Sequence, residues 1–174
     1  MSPRFLSGEK VRLRAVEPDD VLMLMQAEND SDCWLYDATV APLSVSLLSR
    51  YARSYRADPE HDGELRLVVE TVDGNAVGVA DLYEISMRHQ TAMVGIYVLS
   101  DFRKRGLAKD ALSILGRYAA SALGLHSLGA RIPTVNAGSV ALFESLGYER
   151  CGVIREWLHW DGCRYDMALF QKIF

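Results

Sequence analysis

Positions 103 to 108 read Arg103, Lys104, Arg105, Gly106, Leu107 and Ala108, three cations and a glycine in succession. Apolar residues then recur at Ala108, Ala111, Leu112, Leu115, Tyr118, Ala119 and Ala122, the spacing of one helix face. The basic turn therefore sits at a helix start. There the first backbone N–H groups lack internal partners and the helix dipole adds partial positive charge. Gly106 removes a side chain where a ligand would approach the backbone. Such a turn suits a phosphate or diphosphate, and it reads equally as a solvated basic turn before an ordinary helix. It is not a P-loop, because no Gly-Lys-Ser/Thr follows, and it carries only one glycine of the three in a dinucleotide fingerprint.

The elements around this turn can be read in chain order. Residues 93–99 are apolar and suit a strand leading into it, and Gly124 can end the long helix in the left-handed conformation. Residues 11–16 alternate as a half-buried strand. Glu17-Pro18-Asp19-Asp20 then starts a helix to about Glu28, with Val21, Leu22, Leu24 and Met25 as its apolar face. Residues 29–42 read as loop, with Trp34 and Tyr36 in it. Residues 44–56 form a second helix with Val45, Leu48, Tyr51 and Ala52 inward, and 59–64 a polar, mobile loop. Residues 65–71 and 76–83 pair across Asp73-Gly74, and 93–99 completes a three-stranded antiparallel meander. Residues 128–135 make a strand with one unpaired flank, since Pro133 cannot donate to a ladder. Asn136 caps a helix carrying Val140, Leu142, Phe143 and Leu146, and Gly147 ends it. Residues 148–160 and 164–170 form a last hairpin across Asp161-Gly162.

The 174 residues fit one domain, 1–174, with a real core. A net charge of −4 argues against broad nucleic-acid binding. Cys33, Cys151 and Cys163 suggest reduced thiols, and none has a metal-ligand partner at zinc spacing. Neither a signal-peptide pattern nor a membrane-length apolar run is present, so a cytoplasmic protein is expected, with no metal and no membrane partner.

Arg103-x-x-Gly106-x-Ala108 resembles the acyl-CoA-binding motif of the GCN5-related N-acetyltransferases (GNAT). Asn136-Ala-Gly-Ser-Val-Ala-Leu-Phe-Glu-Ser-Leu-Gly-Tyr148 is similar to a second motif of that family, and Gly162-Cys-Arg-Tyr-Asp166 to its tail. The resemblance runs from about Val11 to the C-terminus and leans toward the spermidine and ribosomal-protein N-acetyltransferase branch. It implies an α+β fold in α/β/α layers, with about four helices. The sheet would have about seven mostly antiparallel strands and a central V-shaped splay. It also implies an enzyme that moves an acetyl group from acetyl-CoA to a primary amine. The acceptor would be a polyamine such as spermidine or a protein N-terminus, and the enzyme would work alone or as a homo-oligomer.

Acyl transfer must hold the cofactor, deprotonate the amine and stabilise an oxyanion. Arg103, Lys104, Arg105, Gly106, Leu107 and Ala108 are expected at the phosphates. By the resemblance, Ile96, Tyr97 and Val98 run beside the pantetheine, and Asn136, Ser139 and Phe143 form the other wall. A backbone N–H near Val98 would meet the carbonyl. Asp81 and Glu84 match acidic positions of the spermidine acetyltransferases and are candidate bases. In a regular strand they point to opposite faces, so only one faces the cleft unless a bulge intervenes. Glu28 is a third candidate, and Glu28 and Tyr36 join Asp81 and Glu84 as acceptor-binding residues. The family usually has tyrosine where Phe143 stands, as acid for the leaving thiolate, so Tyr97 and Tyr148 are candidate substitutes. The stretch Asp37-Ala-Thr-Val-Ala-Pro42 carries one acid where spermidine acetyltransferases are glutamate-rich, which disfavours a polyamine. The alternative is a catalytically impaired CoA-binding regulatory module.

Overall fold

The computed structural model describes residues 4–35 and 41–174, so Tyr36 lies outside the described residues. The chain runs β1 (Val11–Arg14), α1 (Val21–Glu28), α2 (Val45–Ser54), α3 (Pro59–Asp62), β2 (Leu65–Thr71), β3 (Ala76–Ser86) and β4 (Thr91–Val98). It continues α4 (Leu107–Ser121), β5 (Ser127–Pro133), α5 (Ala137–Glu144), β6 (Glu149–Trp160) and β7 (Cys163–Ile173). One seven-stranded sheet has the order β1-β2-β3-β4-β5-β7-β6. Every pairing is antiparallel except β4 with β5.

Side-chain alternation gives the sheet two packed faces. On one, Val68 and Val79 meet Met23, Leu24 and Ala27 of α1 and Leu48 and Ala52 of α2. On the other, Leu67, Ala80, Leu82, Val94, Leu128, Ala130 and Ile132 meet Ala111, Leu112, Ile114, Leu115 and Ala119 of α4. Phe143 and Tyr148 extend this second cluster beside α5. Burying each of Leu112 and Leu115 contributes about 1.5–3 kcal/mol, enough to fix α4 against the sheet.

Four local expectations are corrected. Residues 59–64 are not a plain loop: Pro59 starts a one-turn helix capped by Asp58, whose Oδ1 accepts the His61 N–H at 3.2 Å. Leu22 of α1 is exposed while Met23 and Leu24 are buried. The first five residues of α1 are all apolar, so periodicity could not choose its face. In α2 it is Leu48 and Ala52 that are buried, with Val45 exposed. Ala122 is exposed, and Ile114 joins the α4 stripe instead.

Candidate active site

The site begins where β4 and β5 part. Their parallel pairing runs only through Thr91–Ser127, Ala92–Leu128 and Met93–Gly129. Beyond it β4 stays with β3 as far as Gly78–Val98, and β5 stays with β7 as far as Pro133–Met167. The two half-sheets therefore open a V. The Leu99 N–H donates to the Val77 carbonyl across β3–β4 at 2.9 Å. Alternation then turns the Val98 and Ile96 backbone groups away from β3, into the gap. On the opposite wall the Thr134 N–H donates to the Asp166 carbonyl at 2.9 Å, so the amide position of Pro133 faces the gap. A residue without an N–H is tolerated there because no strand waits for it.

At the open end of the V stands the N-terminus of α4. Gly106 is its N-cap at φ +79°, with no side chain capping the first turn, and Lys104 before it has φ +61°. Left-handed residues alternating with ordinary ones can turn backbone N–H groups toward one side, the kind of arrangement that binds anions. A Cβ at Gly106 would stand 2.8 Å from Lys10 Nζ. Lys10 Nζ donates to the Arg105 carbonyl at 2.9 Å. The Lys10 and Val11 N–H groups both donate to Asp110 Oδ2, at 2.7 and 3.0 Å, which ties α4 to β1. A backbone cradle, a glycine in the left-handed conformation and nearby cations together fit a diphosphate.

The side chains of the basic turn are less free than the sequence suggested. Arg103 turns back rather than out: its Nε donates to the Val98 carbonyl at 2.8 Å and its Nη2 to Asp30 Oδ2 at 3.0 Å. Arg105 donates to the Asp101 carbonyl at 2.7 Å and stacks over Phe102. Leu107 is buried in the core, so it contributes to this end only through its backbone. Lys104 is exposed and Ala108 half-buried.

On the α1–α2 face of the V the carboxylates are already paired. Asp81 takes Arg66 Nε and Nη2 at 3.0 and 2.8 Å, and Glu28 takes Arg66 Nη1 at 2.5 Å. Arg66 and Asp81 are direct cross-strand partners. The Arg66 N–H donates to the Tyr55 hydroxyl. Gly95 faces this group, so Asp81 has no β4 side chain above it. Glu84 sits in a bulge at φ +50°. Its carboxylate meets Arg131 of β5 bidentately at 2.6 and 2.9 Å. Those Arg131 bonds hold the Glu84 carboxyl below its usual range, against the opposing effect of burial. The bulge thus brings Glu84 within reach of the same gap as Asp81, overriding the strict alternation of a regular strand.

Asn136 caps α5, its Oδ1 accepting the Ser139 N–H at 3.0 Å. Phe143 is 3% exposed and packs edge-on against Tyr148 at 5.0 Å, as expected of an apolar residue packing α5. Tyr148 is buried too, and burial pushes its hydroxyl well above the usual tyrosine value. It lines a cavity of about 350 Å³ with Leu112, Gly116, Lys172 and Phe174, away from the V. The Tyr97 hydroxyl donates to Asp30 Oδ2 at 2.7 Å. Burial first, then Asp30, raise its pKa far above the ordinary one. Lys10, Asp30, Arg66 and Arg131 were not singled out from the sequence. None lies in a motif, and each gains meaning only from a partner distant in the chain. Among the described residues, no three His, Cys, Asp or Glu side chains converge as a metal site.

Comparison with known proteins agrees with this geometry. Residues 10–149 match the family model described as an acetyltransferase (GNAT) domain. The uncharacterized N-acetyltransferase YoaA of Bacillus subtilis is 27% identical over 131 residues, 75% of this chain and 72% of that protein. The spermidine N(1)-acetyltransferase of Vibrio cholerae is 25% identical over 149 residues, covering 86% and 82%. The crystal structure of the V. cholerae spermidine N-acetyltransferase in complex with CoA and spermine shares the fold, at TM-score 0.81 and 24% identity over 94% and 95% of the two chains. With a seven-stranded open sheet, a parted β4–β5 pair and a matching family model over most of its length, the chain belongs to the GNAT family of N-acetyltransferases.

Proposed function

We propose that this chain acetylates a primary amine with acetyl-CoA, with the phosphates at the start of α4 and the acyl end in the V. The observation that carries this is the pairing of β4 and β5 ending at Met93–Gly129, with the Gly106 turn at the open end. Backbone N–H groups from Gly106 to Ala108 hold the phosphates, with Lys10 and Lys104 adding positive charge. Arg103 and Arg105 brace the turn. Ile96, Tyr97 and Val98 line one wall, and Asn136 and Ser139 the other.

When bound, acetyl-CoA supplies an acetyl thioester whose carbonyl oxygen gains negative charge as the amine attacks. The Val98 N–H faces the gap and is the donor for that oxygen. An alkylammonium, with a pKa near ~10, must first lose a proton. Asp81, open beneath Gly95 and backed by Glu28, takes it. Glu28 and Asp81 share one guanidinium, so the group keeps a surplus negative charge that draws in a single ammonium. Glu84 has the Arg131 guanidinium to itself and carries no surplus charge, so it borders the acceptor and does not take the proton. A thiolate whose thiol pKa is near ~8.5 leaves without a protein acid. Phe143 has none to give, and the Tyr97 proton is held by Asp30.

Two guanidiniums on the acceptor side, Arg66 and Arg131, work against a polycation, so a monoamine or a peptide N-terminus is favoured over spermidine. The test is acetyl-CoA consumption across polyamines, amino-acid amides and N-terminal peptides. Turnover of amides or peptides above spermine is expected, and efficient turnover of spermine alone would reverse the substrate assignment.

A further inference from the structure

One carboxylate oxygen outside the described motifs receives three donors. Asp30 Oδ2 accepts from Tyr97 Oη at 2.7 Å, Arg103 Nη2 at 3.0 Å and Cys33 Sγ at 3.4 Å. Its Oδ1 accepts the Asp32 N–H at 3.2 Å, fixing the short turn Ser31–Cys33. Arg103 lies over the Tyr97 ring at 5.3 Å and reaches the Val98 carbonyl through Nε. Three chain segments therefore meet at Asp30: the turn after α1, the end of β4 and the basic turn before α4.

The peptide carrying the Val98 N–H lies between two of the groups this cluster holds. On one side is the Tyr97 side chain, tied to Asp30. On the other is the Val98 carbonyl, tied to Arg103, which is itself tied to Asp30. A donor contributes most to catalysis when its direction is set before reaction, so that no reorganisation is needed. We propose that Asp30 is a positioning residue for the Val98 donor, aiming it through Tyr97 and Arg103. This rests on the role given above to Val98.

The charges around the cluster are consistent with it. Burial works to raise the Asp30 carboxyl, but the bonds from Tyr97, Cys33 and Arg103 outweigh it and hold it below its ordinary value. Asp30 is thus ionised at neutral pH. The Cys33 thiol is pushed up to about 11, by burial first and then by Asp30, against the opposing pull of Arg103. Cys33 is therefore a reporter of whether the cluster is closed.

The experiment uses the full chain with Cys151→Ser and Cys163→Ser, which removes the two exposed thiols. Asp30→Asn keeps the shape and removes the charge. Its Cys33 should then alkylate several-fold faster at pH 8 with iodoacetamide, because the charge that kept the thiol protonated is gone. Steady-state kinetics should show kcat down roughly 10- to 100-fold, the size expected for a misplaced reacting group, with acetyl-CoA affinity by calorimetry within about threefold. Asp30→Glu should recover part of the loss. Tyr97→Phe removes only a hydroxyl, keeps the ring for packing, and should lower kcat in the same direction. A fast-alkylating Asp30→Asn with unchanged kcat would overturn the proposal. So would a Tyr97→Phe variant of full kcat if Asp30→Asn did not fold. Wild type that binds acetyl-CoA yet acetylates no amine would instead overturn the reading of Val98, and this inference with it.

Discussion

In the proposed function, the two ends of the β4–β5 gap recognise in different ways. At the α4 end the groups proposed to meet the ligand are backbone N–H groups around Gly106, where the turn is left-handed and has no side-chain cap. On the α1–α2 side they are carboxylates, each held by an arginine from a different element. Backbone recognition depends on φ and on missing side chains, so it tolerates change in most neighbouring residues. Side-chain recognition depends on a balance of charges, so a change in one partner alters what the other can bind. The first end suits a ligand that stays the same across a family, and the second suits an acceptor that varies.

The largest effect is expected at the backbone end. Gly106→Val must adopt φ near +79° with a branched side chain and push aside Lys10, so acetyl-CoA binding should be lost in a folded protein. Gly106→Asn, which tolerates the left-handed region, should keep affinity within about tenfold. Calorimetry on both variants separates a conformational requirement from a merely local clash. Equal affinity of Gly106→Val and wild type would erase the distinction between the two ends.

Next comes Asp81→Asn, expected to lower kcat/KM by roughly 10²–10⁴ near pH 7. The loss should shrink as pH approaches the amine pKa, where the base is no longer needed. A loss that stays constant with pH would assign Asp81 to binding alone. Glu84→Gln should change kcat/KM by no more than about threefold, since Arg131 balances its charge one to one and it is more than half exposed. A large effect there would move the base from Asp81 to Glu84.

A smaller effect, away from both ends, concerns acid stability. Glu70 is 4% exposed and bound by Arg12 and Arg14, with Asp20 on Arg14 as well. Burial works to raise the Glu70 and Asp20 carboxyls, but the arginine bonds win and both sit below their ordinary values. Their contribution is present above about pH 4.3, the free glutamate value, and is lost as pH falls through the depressed folded values. Thermal melts of wild type should therefore steepen in their fall below pH 4, and Glu70→Gln should start lower and fall less.

The backbone end was legible in the sequence, and the acceptor side was only partly so. Gly106, the helix spacing after it and Pro133 are local signals, and each reports a backbone state directly. The open flank of β5 follows from Pro133 and from the resemblance, while the full strand order, with β7 between β5 and β6, came only from the fold. The carboxylates proposed to meet the acceptor were visible, but their partners were not. Arg66 and Arg131 sit 15 and 47 positions from the acids they bind, and nothing in their neighbourhoods marks them. The bulge at Glu84 had no sequence cue, since glutamate rarely takes positive φ. Phe143 was legible from helical spacing as a packing residue, and its ring is buried in the core. Arg103 shows the same limit: the motif located the turn, and only the fold revealed that its guanidinium faces Asp30.

The most direct test is a paired measurement on the wild-type chain: acetyl-CoA affinity by calorimetry, and acetyl-CoA consumption with a broad panel of amines. Micromolar binding together with turnover of at least one primary amine is the predicted result, with no hydroxyl at position 143 required. Micromolar binding with no turnover of any amine would contradict it and leave a CoA-binding module that has lost its chemistry.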